Sequence, residues 1–205
     1  MTRGGDVDED KRTTLRRFAA LGAASPFARF ADDSGDNGSD APSAIAGYVS
    51  ARPGTHFSQL RDDLQLGTGE AQHHLHSLES DGVVVSRKDG DYRRYYPAGQ
   101  FTEFEQVALG YLRRSTPRGM LVALLRDPTT TASELAAKLS VSRPSISNHA
   151  ADLEEAGLLS RTDGYTVAEP ETVLTLLIRY ADSFDDDVAQ LAREADSLFR
   201  YDPER

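Results

Sequence analysis

The stretch SELAAKLSVSRPSISNHAADLEEAGLL, from Ser133 to Leu159, has a second version upstream, from Ser58 to Val84, and nothing else in the chain constrains its fold as strongly. A shift of 75 positions places Leu60 on Leu135, Leu64 on Leu139, Leu66 on Val141, His74 on His149, Leu78 on Leu153, Glu79 on Glu154 and Gly82 on Gly157, without a gap. Each copy carries the complete pattern of a small domain, so the repeat predicts tandem domains rather than a solenoid. A chain of 205 residues has room for two small cores.

In the second copy, Leu135 and Leu139 stand four apart on one face of a short helix that Thr131 or Ser133 is placed to cap. Ser140-Val141-Ser142 turns the chain, and Ser142 caps a further helix whose first turn accommodates Pro144. Ile146, Ala150 and Leu153 form its inward stripe, and Gly157 suits the left-handed residue that ends it. Arg143, Ser147, Asn148 and Ala151 must then face outward near the helix start. Donors and acceptors in that place are what reading base edges in the major groove requires. Two packed helices with a solvated face are the plainer alternative. The tight turn, the closing glycine and the strand-like hairpin that follows, all present in both copies, favour the DNA-reading helix-turn-helix.

The first copy turns Ala71, Leu75 and Leu78 inward and presents Thr68, Gln72, His73 and His76, with no arginine or lysine on the helix. Its cations sit in the hairpin that follows, where Arg87, Lys88, Arg93 and Arg94 surround an Asp89-Gly90-Asp91 turn. Such a wing is placed to touch phosphate or the minor groove; a solvated edge strand protected by charge is the alternative. The second hairpin, residues 158–167, carries Arg161 alone. The candidate DNA contacts of the second domain are therefore Lys138, Ser142, Arg143, Ser145, Ser147, Asn148 and Arg161. Those of the first are Thr68, Gln72, His73, His76, Arg87, Lys88, Arg93 and Arg94. His73, His74 and His76 have helix spacing that two metal ligands share, but no third ligand is specified, and His74 matches His149 as a half-buried plug.

A family resemblance rests on His56-Phe57-Ser58-Gln59-Leu60, Gln72-His73-His74-Leu75, Asp81-Gly82-Val83 and Arg94-Tyr95-Tyr96-Pro97 in the first copy. In the second it rests on Ser142-Arg143-Pro144-Ser145-Ile146-Ser147 and Glu155-Ala156-Gly157-Leu158-Leu159. Both copies resemble the winged helix-turn-helix of ArsR- and MarR-type transcriptional regulators, and the pair resembles archaeal regulators with two such domains. The resemblance implies a mainly α fold with small β wings, tandem domains joined by a helix, and C-terminal helices of the kind that commonly supply a dimer interface.

The expected organisation is a disordered tail over residues 1–41, a winged domain over 42–100, a joining helix within 101–115, a second winged domain over 116–168 and helices over 169–205. In the tail, Arg16-Arg17 before a short apolar run resembles a twin-arginine export signal, yet Pro26 and Arg29 interrupt the run and it is too short to span a bilayer. A disordered or surface-associating arm is expected instead. Val188, Leu191, Ala195 and Leu198 follow a three-four spacing that suits either a dimer seam or folding back on the second domain.

The net charge of −10 would argue against a nucleic-acid binder if it were evenly spread, but acid is dense in residues 6–10, 32–40 and 182–187, outside the repeat. Only Lys11, Lys88 and Lys138 among the 23 basic residues are lysine, a balance that resembles proteins of salt-loving archaea. The absence of cysteine excludes disulfides and thiolate metal sites and fits a reducing interior. No activated nucleophile, phosphate loop or complete metal-ligand set is present, so neither catalysis nor a cofactor is expected. The expectation is a cytoplasmic regulator that binds double-stranded DNA as a homodimer, with no identifiable effector. The rival is a winged-helix adaptor acting inside a larger assembly.

Overall fold

The computed structural model describes residues 5–23 and 41–198. The fold is mainly helical with two small antiparallel sheets, and it divides into two compact units, residues 1–102 and 103–205.

In the first unit, helix α1 (Gly5–Ala23) packs along α2 (Ala41–Ala51). Strand β1 (Thr55–His56) leads into α3 (Phe57–Asp63), which turns into α4 (Thr68–Ser80). Strands β2 (Val84–Asp89) and β3 (Tyr92–Pro97) form a hairpin, and β3 is central in the order β1-β3-β2. The core gathers Ile45, Tyr48 and Val49 of α2 with Leu60, Leu64, Ala71, Leu75 and Leu78 of the two turned helices. Val84 and Tyr95 close it from the sheet.

The second unit opens with α5 (Glu103–Leu112), followed by α6 (Ser115–Arg126), α7 (Ala132–Lys138) and α8 (Arg143–Glu155). Strands β4 (Leu159–Ser160) and β5 (Thr166–Val167) form its hairpin, and α9 (Pro170–Arg179) and α10 (Asp186–Leu198) complete it. The 75-residue repeat carries through to backbone detail: α3 and α7 have the same bounds at that shift, as do α4 and α8. So do the two left-handed non-glycine residues, Gln65 at φ 53° and Ser140 at φ 54°, and the closing glycines Gly82 and Gly157. Behind each closing glycine the next amide donates into the helix just ended, Val83 to Leu78 O and Leu158 to Leu153 O.

Four expectations change or narrow. First, residues 5–23 of the tail are helical rather than disordered: Leu15 is buried and the Phe18 ring lies 5.0 Å from that of Tyr48. The expected linker over 32–40 lies outside the described residues. Second, the joining helix is α5, and burial of Ala108, Leu109 and Leu112 against α6 and α9 makes it part of the second core. Third, β1 was not legible, since two residues carry no period.

Fourth, an open alternative narrows: of the seam and the fold-back that the C-terminal spacing allowed, the described residues take the fold-back. Val188 and Leu191 are buried within it, and α10 is held on α6 by Arg118 with Asp185 (2.5 Å), Arg126 with Asp187 (2.5 Å) and Arg126 with Glu194 (3.1 Å). The Phe184 ring sits under the guanidinium groups of Arg113 and Arg118. Burial of Val188 and Leu191 places this part of the stripe inside its own unit. Ala195 and Leu198, the remainder of that stripe, have side chains outside the described residues.

Candidate nucleic-acid interface

Each unit presents the start of its second turned helix. In α8, Ser142 is the N-cap: its hydroxyl accepts from the Ser145 amide (3.2 Å), and Pro144 occupies the first turn, where its missing donor costs nothing. Ile146, Ala150 and Leu153 are fully buried, which orients the helix about its axis and leaves Arg143, Ser147 and Asn148 exposed. Ser145 is half-buried beneath them, and Lys138 is exposed at the end of α7. The Arg143 guanidinium and the Asn148 carboxamide, five residues apart in the first half of α8 and both exposed, have the donors and acceptors that base edges require. Ser142 is already committed as a cap, so its hydroxyl shapes the helix start before it touches anything else.

The equivalent face of α4 presents Thr68, Gln72, His73 and His76, all exposed, while Ala71, Leu75 and Leu78 are buried. Its N-cap is Gly67, whose amide donates to the Glu70 carboxylate (3.2 Å). Lys11 of α1 reaches the same carboxylate at 3.5 Å. His74 is half-buried, as is its repeat partner His149, and burial followed by the charge of His73 holds its pKa below the ordinary histidine value. Among the described residues no group of three or more side chains is arranged to hold a metal ion.

The first wing divides its cations. Lys88 and Arg93 are exposed, and the ladder places them opposite one another. Arg94 corrects the expectation that it contacts phosphate: it is only 3% exposed, pairs with Asp89 through Nε, and donates from Nη1 to Gly54 O (2.9 Å). The reason is β1. With β3 in the centre of three strands and His56 opposite Arg94, the guanidinium is covered rather than projected. Arg87, opposite it on β2, is half-buried.

In the second wing Arg161 is exposed but engaged, its Nε donating to Glu154 (2.7 Å) and its amide to the other oxygen (3.1 Å). The hydrogen bond from Arg161 lowers the Glu154 pKa, and the reciprocal bond raises that of Arg161. Glu79 makes the matching contact in the first unit, accepting from the Ser86 hydroxyl. Ser86 and Arg161 are themselves 75 apart, so in both units one carboxylate on the second turned helix holds the wing at the same place. That role was not read from the sequence, although the Glu79 and Glu154 match was visible in it.

Comparison with known proteins agrees with this geometry. Residues 39–109 match a family model described as an N-terminal HTH domain, and residues 115–166 match one of the MarR family. An uncharacterized HTH-type transcriptional regulator of the archaeon Methanocaldococcus jannaschii is 26% identical over 121 residues, which are 58% of this chain and 30% of that protein. The chain thus spans under a third of that relative's length. No solved structure matches. Among the described residues no helix is long and apolar enough to cross a membrane.

Proposed function

We propose that this chain is a sequence-specific regulator of transcription that binds double-stranded DNA through two winged helix-turn-helix units. The observation that carries the reading is the face of α8, where a buried three-residue stripe and a capped first turn set Arg143, Ser147 and Asn148 outward together. In this reading Arg143 and Asn148 meet base edges, with Lys138 and Ser147 beside them, while Lys88 and Arg93 of the first wing hold phosphates. Thr68, Gln72, His73 and His76 form a second contact face that carries no lysine or arginine. The HTH and MarR matches over both units support the proposal.

The same proposal places the protein in the cytoplasm, beside DNA, and in an archaeon living in concentrated salt, where a net charge of −10 keeps the surface hydrated. It assigns no catalytic step. A homodimer on a two-fold operator belongs to the proposal, but its interface must lie outside Val173, Leu177, Val188 and Leu191, which are buried within the second unit. Sedimentation of the intact chain tests that part alone, and a clean monomer at micromolar concentration in the presence of operator removes it. The binding itself is tested by retention of genomic fragments in a gel at graded salt.

A further inference from the structure

The wing of the first unit carries a large side chain that none of these roles explains. Tyr92 follows the Asp89-Gly90-Asp91 turn and is 52% exposed, more than any other large apolar residue described. The ring is not loose. The His56 ring lies behind it at 4.9 Å between centroids, and the Arg94 guanidinium lies 5.9 Å from its centroid. Arg94 is itself fixed by Asp89 and the Gly54 carbonyl, and His56 by the Gln59 amide that donates to its Nδ1. An exposed aromatic held this way loses little freedom when something packs on it.

Beside it the ladder sets Lys88 opposite Arg93, and among the described residues neither makes an ion pair. Like charges directly opposite in a hairpin are destabilising, so the pair is a cost to the isolated wing and a gain only against an anionic surface. Strand alternation puts Arg93 and Lys88 on one face of the ladder and Tyr92 on the other. The hairpin tip therefore has a cationic side and an aromatic side, the arrangement needed to straddle one strand of a duplex. In the shorter second wing Tyr165 follows Asp163-Gly164 but is half-buried, so the feature is not shared by the repeat.

We propose that Tyr92 is a DNA-contacting residue of the wing, its ring packing on deoxyribose and base edges in the minor groove while Lys88 and Arg93 hold the flanking phosphates. The inference rests on the regulator reading, and one experiment separates the two. The chain contains no tryptophan, so Tyr92→Trp places a single indole at the wing tip. The probe is a duplex selected from a random pool by the wild-type chain. Saturating duplex is expected to shift the emission of the variant and to reduce its quenching by acrylamide several-fold. Tyr92→Ala should bind the same duplex about tenfold more weakly while remaining folded, with a melting temperature lowered by only a few degrees for the lost packing on His56, and Tyr92→Phe should bind as wild type. Retention of the duplex by the Tyr92→Trp chain without change in emission or quenching would overturn the inference and leave the regulator reading standing. Emission that shifts with protein concentration alone would assign the ring to a protein contact and overturn it equally. If the wild-type chain selects and retains no duplex, both readings fail.

Discussion

Arg93 and Arg94 are adjacent in sequence and opposite in role, because a strand sends successive side chains to opposite faces and β1 covers only one of them. Truncating Arg94 removes a buried guanidinium that meets both Asp89 and the Gly54 carbonyl, so Arg94→Ala should cost about 2–3 kcal/mol of stability, measured by denaturant unfolding. Arg93→Ala relieves the like-charge pairing with Lys88 and so should leave stability equal or slightly raised, while it weakens binding to all duplexes alike and reduces the salt slope by about 1. A base contact fails differently. Arg143→Ala or Asn148→Ala should cost roughly 1–3 kcal/mol on the selected duplex and relax preference at one position, read by repeating the selection with each variant. The outward set on α8 was legible because its complement, Ile146, Ala150 and Leu153, has strict helical spacing. Arg94 was not, since its burial depends on a two-residue strand forty positions earlier that leaves no mark in the local pattern.

At the scale of elements, the shared bounds of α3 with α7 and of α4 with α8 show how much of the fold the repeat already contained. The turn between each pair stores strain in a side chain at positive φ, Gln65 or Ser140, where glycine would sit without a clash. Ser140→Gly should therefore be neutral or stabilising by up to about 1 kcal/mol, whereas Gly157→Val, at φ 72°, should be destabilising by about 1 kcal/mol or more. Thermal melts of the two variants check the pair. Helix α3 begins on an unusual cap, the neutral His56 ring, whose pKa burial and then Arg94 hold below the ordinary histidine value of 6.5. The unfolded chain therefore takes up this proton first as pH falls. Its contribution to stability is fully present above pH 6.5 and declines as pH drops below it. His56→Asn keeps a capping acceptor and removes the titration, so calorimetry between pH 7.5 and pH 5.5 (about one unit either side of a free histidine) should show a flatter dependence than wild type. The wing of the first unit was legible from its Asp-Gly turn; the carboxylates Glu79 and Glu154 that seat the two wings were not, because nothing in a helix pattern says which exposed acid meets the next strand.

Across the whole molecule, the N-terminal segment departed furthest from expectation, and the C-terminal helices took one of the two arrangements their spacing allowed. Among the described side chains of α1, Leu15 is buried and Phe18 is half-buried against the Tyr48 ring of α2, a stripe too weak to predict the helix from the sequence. At the other end, the three-four spacing of Val188 and Leu191 is equally good for a seam between chains or for a core within one. The deciding residues are Arg118 and Arg126 on α6, which meet the acidic start of α10 and hold it to its own unit. Among the described residues, few cations on the candidate contact faces and wings are both exposed and free of an ion pair. A binder built this way should show a shallow dependence on salt and take its selectivity from a handful of base contacts. The central claim is tested most directly by a gel shift of the intact wild-type chain with genomic fragments at graded salt. The account predicts retention of a subset of fragments at low salt, with affinity falling gently as salt rises; no retention of any fragment even at the lowest salt would contradict it and leave a protein-binding adaptor in its place.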